Sequence, residues 1–399
     1  MRKTPEASPR IALALAGGGP LAAVYEIGAL CALEEALDGL DFTRLQHYVG
    51  VSAGGFIAAA LANGLSPRAL CAAFIEDTGG SDAEVFDPAW LMVPAYGEFA
   101  RRAALLPGLA ASALWRAGSG RLRWTEALAQ LGPAIPTGLF SNEDIHRRLA
   151  RVFGQAGRSN DFRSLRSRLS LVATDLETGE TVVLGGPGWD HVPISRAVQA
   201  SAALPGLFPP VTIGGRSFVD GALKKTLHAS VALEAGADLV LCLNPLVPLR
   251  AAGSGSTRIA DRGLPAVLGQ TFRALIHSRL ETGMKHYARA WPAADIVLLE
   301  PDPDDAEINL ASAFSYGRRR QLAAHAYRQT RAQLRARQDE LAPRLARHGI
   351  TLRADLLADD GRALLAPVRA PAPVRPRLGR ALADLGQALD RLERQLRPA

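Results

Sequence analysis

Short apolar runs alternating with helical stretches predict a layered α/β protein with a mainly parallel central sheet and a helical C-terminal extension. Three observations carry this prediction. The runs are rich in valine, isoleucine and leucine, glycines stand where a strand would turn into a helix, and 48% apolar against 21% charged residues suits a folded core. A chain of 399 residues is long enough to bury such a core in one large domain or two modest ones.

Taken in order, Ile11–Ala16 is a compact apolar strand, followed by glycines and a helical pattern from Leu21 to Leu37. Tyr48–Val51 makes the second strand and Gly54–Asn63 a helix of small residues. Leu169–Thr174 and Thr181–Leu184 are strands either side of the Thr178-Gly179 turn. Val211–Ile213 and Ser217–Val219 flank Gly214-Gly215, a hairpin signal. Asp238–Leu243 and Asp295–Glu300 read as later buried strands.

Residues 78–140 interrupt the rhythm with Trp90, Trp115, Trp124 and several prolines but no strand. Ordinary core and a lid-like or membrane-facing insertion are both open readings. Ala366–Pro376 is a proline-rich linker, and beyond it Leu378, Leu382, Leu385, Leu389, Leu392 and Leu396 step by four and three on a basic helix. That helix suits docking on its own domain, self-association or contact with a membrane surface. The expected organisation is therefore 11–235 for the chemistry (with 78–140 inserted), 236–365 to complete the α/β fold, and 366–399 as linker and amphipathic helix.

Net charge is +7 and unevenly placed: residues 317–353 carry ten arginines against Asp339 and Glu340. Solvated helix faces explain most such patches, and an anionic lipid surface is a better partner than nucleic acid, for which no binding motif is present. No apolar run approaches the ~20 residues of a membrane span, and no secretory signal is evident. Cys31, Cys71 and Cys242 lie singly in apolar stretches, as reduced core thiols do. The expectation is a cytoplasmic protein, peripheral to the inner membrane face if it meets lipid, with no cofactor and no metal.

The sharpest chemical signal is Gly50-Val51-Ser52-Ala53-Gly54, with a strand before it and a helix after. A serine on a tight strand-to-helix turn exposes its oxygen, and the flanking glycines allow close packing. Gly17, Gly18 and Gly19 follow the first strand and can converge backbone N–H groups on a developing oxyanion. Gly17–Ala22 also fits a dinucleotide fingerprint, with Asp38 or Asp41 as its acid. Against that reading, the second strand ends in Ser52 rather than an acid, and Pro20 lacks the N–H a pyrophosphate would use. Asp220, with Gly221 and Ala222, ends the second hairpin strand and is the candidate base. His228 and His191 are the histidines to weigh for a three-residue site; His228 opens an apolar helix, where a polar residue is commonly a local feature.

Together these segments resemble the patatin-like phospholipases: a glycine loop (Gly17–Gly19), then G-x-S-x-G (Gly50–Gly54), then Asp-Gly-Ala (Asp220–Ala222). Residues 173–180 and 200–210 match further family stretches, so the resemblance spans about 11–235. It implies a patatin-like three-layer α/β/α fold and a Ser52–Asp220 dyad acting on lipid acyl esters, with phospholipase A or lysophospholipase chemistry. Pro20, Leu21 and Ala22 stand where the family usually has a basic residue and a glycine, which loosens the inference of a phosphate headgroup. An acyltransferase on the same fold and a non-catalytic membrane- or granule-surface protein are the alternatives.

Overall fold

The computed structural model describes residues 9–76, 93–118, 130–250, 258–305 and 318–365. Residues 1–364 form one compact unit, and the leucine-stepped helix expected at 378–396 lies outside the described residues.

The strands are β1 (Ile11–Leu15), β2 (Leu37–Asp38), β3 (His47–Val51), β4 (Arg168–Asp175), β5 (Thr181–Leu184), β6 (Val211–Ile213), β7 (Arg216–Asp220), β8 (Leu239–Leu243), β9 (Asp295–Leu299) and β10 (Thr351–Leu352). The main sheet runs β6-β7-β4-β3-β1-β8-β9, with β5 paired to β4. From β4 through β3, β1 and β8 to β9 every pairing is parallel, whereas β5, β6 and β7 join antiparallel. Sequence explains position. The strands β1, β3 and β8 are buried on both faces and read as nearly unbroken apolar runs, while the edge strand β9 alternates buried and half-buried residues.

Side-chain alternation on β1 separates two cores. Leu13 and Leu15 face the larger one, built with helix α1 (Gly19–Ala36) and helix α2 (Ser52–Ala62). Ala12 and Ala14 face the smaller one, which includes Ala232 and Leu233 of the helix Ala229–Glu234 and Leu280 and Tyr287 of the helix Leu264–Ala290. Helices on both faces of a mostly parallel sheet make the three layers. The mostly apolar α1 is sandwiched, since its outer side packs on the helix Arg319–Ala336. Gly28 permits the contact: a Cβ there would stand 2.4 Å from the Ala323 carbonyl oxygen. At the far end of α1, buried Glu35 accepts from Tyr327 Oη at 2.9 Å and from Arg331 and Arg362. Two-residue strands β2 and β10 add a small antiparallel sheet beside it.

In the interrupting region, helices Tyr96–Ala103 and Leu106–Gly118 occur and no strand is found among the described residues. The stretch is stitched to the loop before β6 by Leu139 N–H to Gly206 O (3.1 Å) and Phe140 N–H to Leu207 O (2.9 Å). Buried Glu98 accepts from Arg102 at 2.8 Å and Thr137 Oγ1 at 2.9 Å, fixing the base of the first helix.

Candidate active site

Strand register brings the motif residues together. Leu15 pairs with Gly50, Val51 with Val172, and Ala173 with Asp220. Continued past Leu15–Gly50 and Val51–Val172, that register sets Gly17 beside Ser52 and Ser52 beside Ala173, the partner of Asp220. The four therefore fall in a single row near the carboxyl ends of the parallel strands, where α/β sheets carry their sites.

Ser52 begins α2 directly after β3 and is the one non-glycine with a positive φ, 52°, among the described residues. Such backbone costs about 1–3 kcal/mol and is held by its surroundings. Here the elbow is wedged against β1: a Cβ on Gly54 would lie 2.5 Å from the Ala16 oxygen, and Gly54 N–H donates to that oxygen at 3.2 Å. The Ser52 amide donates to Ser201 Oγ at 2.9 Å, and that hydroxyl donates to the Val172 carbonyl at 2.6 Å. Ser201, fully buried, thus clamps the elbow to β4.

Asp220 closes β7 and is 2% exposed. Its amide donates to Ala203 O at 3.0 Å, its Oδ1 accepts from Ala222 N–H at 2.8 Å, and the Ser52 hydroxyl lies near enough to favour its charged form. Burial pushes the carboxyl up to about 6, against the opposing pull of the Ala222 amide and the Ser52 hydroxyl. Gly221 is required by contact, because a Cβ there would stand 2.4 Å from the Val172 oxygen.

The glycine loop divides by role. Gly17 N–H donates to Thr226 O at 3.2 Å, and a Cβ on Gly17 would sit 3.0 Å from both Ser52 Cβ and Ala222 Cβ. Its service is to bring the three segments into contact. Gly18 (φ 153°) and Gly19 (φ 73°) open α1, and their amides have no hydrogen-bond partner among the described residues. The Ala53 amide, in the first turn of α2, is likewise uncommitted. These three N–H groups sit at two helix N-termini, where negative charge is favoured.

Neither histidine joins the pair. The buried His228 ring has no hydrogen-bond partner at Nε2 among the described residues, and burial and Lys225 lower it to about 4. His191 is exposed and stacked on Trp189 at 6.5 Å. Asp38 lies in β2, away from the main sheet, so the acid of a dinucleotide site is not where that fold would need it. Asp175, in one of the family stretches, is structural: it accepts the Glu177 and Thr178 amides at 2.9 Å and pairs with Arg216.

The sequence assigns no role to two site-adjacent residues, although one of them, Ser201, falls in the 200–210 family stretch. Ser201 lies 149 residues from Ser52, in a stretch whose small residues give no hint of the clamp. Glu26, in α1 and fully buried, has neither carboxyl oxygen hydrogen bonded. Burial holds it well above the usual carboxylate range against a smaller pull from the Ala16 backbone.

A layered α/β fold with a strained serine elbow against a buried carboxyl defines a serine-hydrolase-like class. Within that class, the patatin-like phospholipase family model matches residues 13–233, and the chain belongs to this family, whose activity is lipid acyl hydrolysis. Among solved structures it is similar to VipD from Legionella pneumophila, with 17% identity, a TM-score of 0.36, and coverage of 82% of this chain and 66% of that one. It is also similar to the type III effector protein ExoU, with 17% identity, a TM-score of 0.32, and coverage of 82% and 53%. ExoU from the type III secretion system of Pseudomonas aeruginosa has also been solved in complex with SpcU, and that structure matches at 16% identity and a TM-score of 0.25, covering 80% of this chain and 53% of that one. This chain therefore spans less than two thirds of the length of these proteins. No helix among the described residues is long and apolar enough to cross a membrane.

Proposed function

We propose that the protein hydrolyses acyl esters of lipids, in the manner of a phospholipase A or lysophospholipase, through a Ser52–Asp220 dyad. One observation carries this reading: strand register sets Ser52, on its strained elbow, beside a buried carboxyl held near 6, with no histidine hydrogen bonded to either among the described residues. A base tuned toward neutrality is what proton abstraction from a serine requires.

Asp220 takes the hydroxyl proton as Ser52 Oγ bonds to the ester carbonyl carbon, and the displaced electron pair settles on the carbonyl oxygen. The Gly18, Gly19 and Ala53 amides hold that oxyanion. Collapse breaks the bond to the alcohol, which leaves with the proton from Asp220. Water, deprotonated by Asp220, then attacks the acyl-Ser52 and releases the fatty acid. An alcohol in place of that water would make an acyltransferase. The side chains at Pro20, Leu21 and Ala22 supply no cation, so the reading commits to the acyl ester and not to a headgroup.

Residues 78–140, of which 93–118 and 130–140 are described, are proposed as the lid-like insertion, its end anchored to the 206–207 loop through Leu139 and Phe140. The basic chain is proposed to work at a lipid surface from the cytoplasmic side. The test is hydrolysis of p-nitrophenyl butyrate and labelling by a fluorophosphonate probe, with wild type and Ser52→Ala side by side. Retained labelling and turnover in folded Ser52→Ala protein would remove Ser52 as nucleophile. A wild type that never labels would favour the non-catalytic surface protein.

A further inference from the structure

The helix Leu264–Ala290 is unusual in being apolar on both sides. Its inner side buries Ile276, Leu280 and Tyr287. Its outer side, over the first half, presents Leu264 (69% exposed), Leu268 (58%) and Leu275 (53%), with Val267 beside them. Positions 264, 267, 268, 271, 274, 275 and 278 share one helical face, and none is charged. The Thr271 hydroxyl folds back to the Val267 carbonyl at 2.8 Å, leaving the face little hydrogen-bonding demand. A surface helix ordinarily turns charge outward, and a continuous exposed apolar face marks an interaction surface.

Two further observations indicate what covers it. From Arg262 to Leu280 there is no acidic residue. Exposed Arg258 and Arg262 stand at the start of the helix, and exposed Lys224 and Lys225 follow the Asp220–Ala222 segment. The same helix also holds both catalytic loops. Gln270 clamps Leu249, accepting its N–H at 3.2 Å and donating to its oxygen at 2.8 Å. Leu246, on that segment, packs on Gly18, where an added Cβ would meet it at 3.0 Å. One turn past Leu275, Arg279 donates to the carbonyls of Leu223 and Lys224 at 3.3 and 3.4 Å.

We propose that the outward face of the helix Leu264–Ala290, with Arg258, Arg262, Lys224 and Lys225 around it, docks on an anionic lipid bilayer and sets the Ser52 site against that surface. The proposal rests on the lipid-hydrolase reading and names its surface partner. Leucines enter the headgroup region while the cations meet lipid phosphates, the division of labour of an interfacial helix.

The experiment scores vesicle binding in the full-length Ser52→Ala background, so that binding and hydrolysis are read apart. Vesicles of phosphatidylcholine with phosphatidylglycerol are compared with pure phosphatidylcholine by sedimentation. Leu268→Glu/Leu275→Glu should weaken partitioning onto the anionic vesicles by ~tenfold or more. In the wild-type background the same pair should leave p-nitrophenyl butyrate hydrolysis within about twofold, as expected of exposed positions outside the site. Arg258→Glu/Arg262→Glu, which leaves the apolar face intact, should weaken anionic binding and not binding to pure phosphatidylcholine. Unchanged vesicle binding in both variants overturns the proposal. So does a dimer-to-monomer shift in sedimentation velocity with vesicle binding unchanged, which would assign the face to a second copy of the chain.

Discussion

Replacing Asp220 by asparagine should inactivate the protein while making it more stable at neutral pH. The side chain is 2% exposed and its carboxyl is displaced from 3.8 to about 6, with burial as the largest cause. A folded-state value above the unfolded one means that the native state binds the proton more tightly. Stability is therefore lost as pH rises from about 4 to about 6, and the full cost persists above that window. At 1.36 kcal/mol per pK unit the displacement amounts to ~3 kcal/mol. Asparagine keeps an oxygen to accept the Ala222 amide and carries no charge, so it escapes that cost. Urea denaturation should show Asp220→Asn more stable by up to ~3 kcal/mol at pH 7, and nearly equal to wild type at pH 3.5. Ester hydrolysis should fall by about 10²–10⁴-fold, the usual contribution of a general base. In wild type, kcat/KM should drop about tenfold from pH 7 to pH 5, whereas an acid left at its ordinary value would lose almost nothing there. An asparagine variant that is less stable at pH 7, or one that retains full activity, would refute the reasoning.

Three further outcomes follow from the same geometry. Ser52→Gly and Ser52→Ala should both lack esterase activity, but the glycine variant should be the more stable by ~1 kcal/mol or more in denaturant titration, because φ 52° suits glycine alone. Ser201→Ala leaves the Ser52 amide without its partner; thermal unfolding should report a loss of ~1–3 kcal/mol. Its kcat/KM should fall while the pH midpoint stays in place, since the base is untouched. Glu26→Gln removes a buried acid held above its ordinary value, so its stability advantage over wild type should grow as pH rises from 5 to 8 in matched melts.

The strands most legible in the sequence were those buried on both faces. For β1 and β8 an unbroken apolar run is both the cause of burial and its written sign, and the observed bounds differ by one residue from those expected. The hairpin at Gly214-Gly215 was legible because its turn demands glycine conformations at both positions. By contrast, β2 and β10 are two residues each and exist only because α1 and the C-terminal helices bring them together. The row of Gly17, Ser52 and Asp220 could be anticipated from order along the chain, since each stands at or just past the end of a strand. What order could not supply is occupancy. Nothing in three adjacent glycines says that the first amide is spent on Thr226 while the next two stay open. The Ser201 clamp and the orphaned Glu26 carboxyl are likewise products of packing between distant segments.

The central place of β1 limits how this chemistry can be moved between proteins. The family match ends at residue 233, yet one of β1's two neighbours is β8, which begins at Leu239. The helix covering the outer side of α1 begins only at Arg319. A fragment trimmed to the matched span would keep every residue of the elbow, the glycine loop and the Asp220 arm. It would also expose one whole hydrogen-bonding edge of its most apolar strand, an invitation to pair with other chains. Grafting, truncation or fusion designs should take their boundary beyond Leu364, where the compact unit ends, because the residues that perform the reaction are fewer than those that must fold for it to occur.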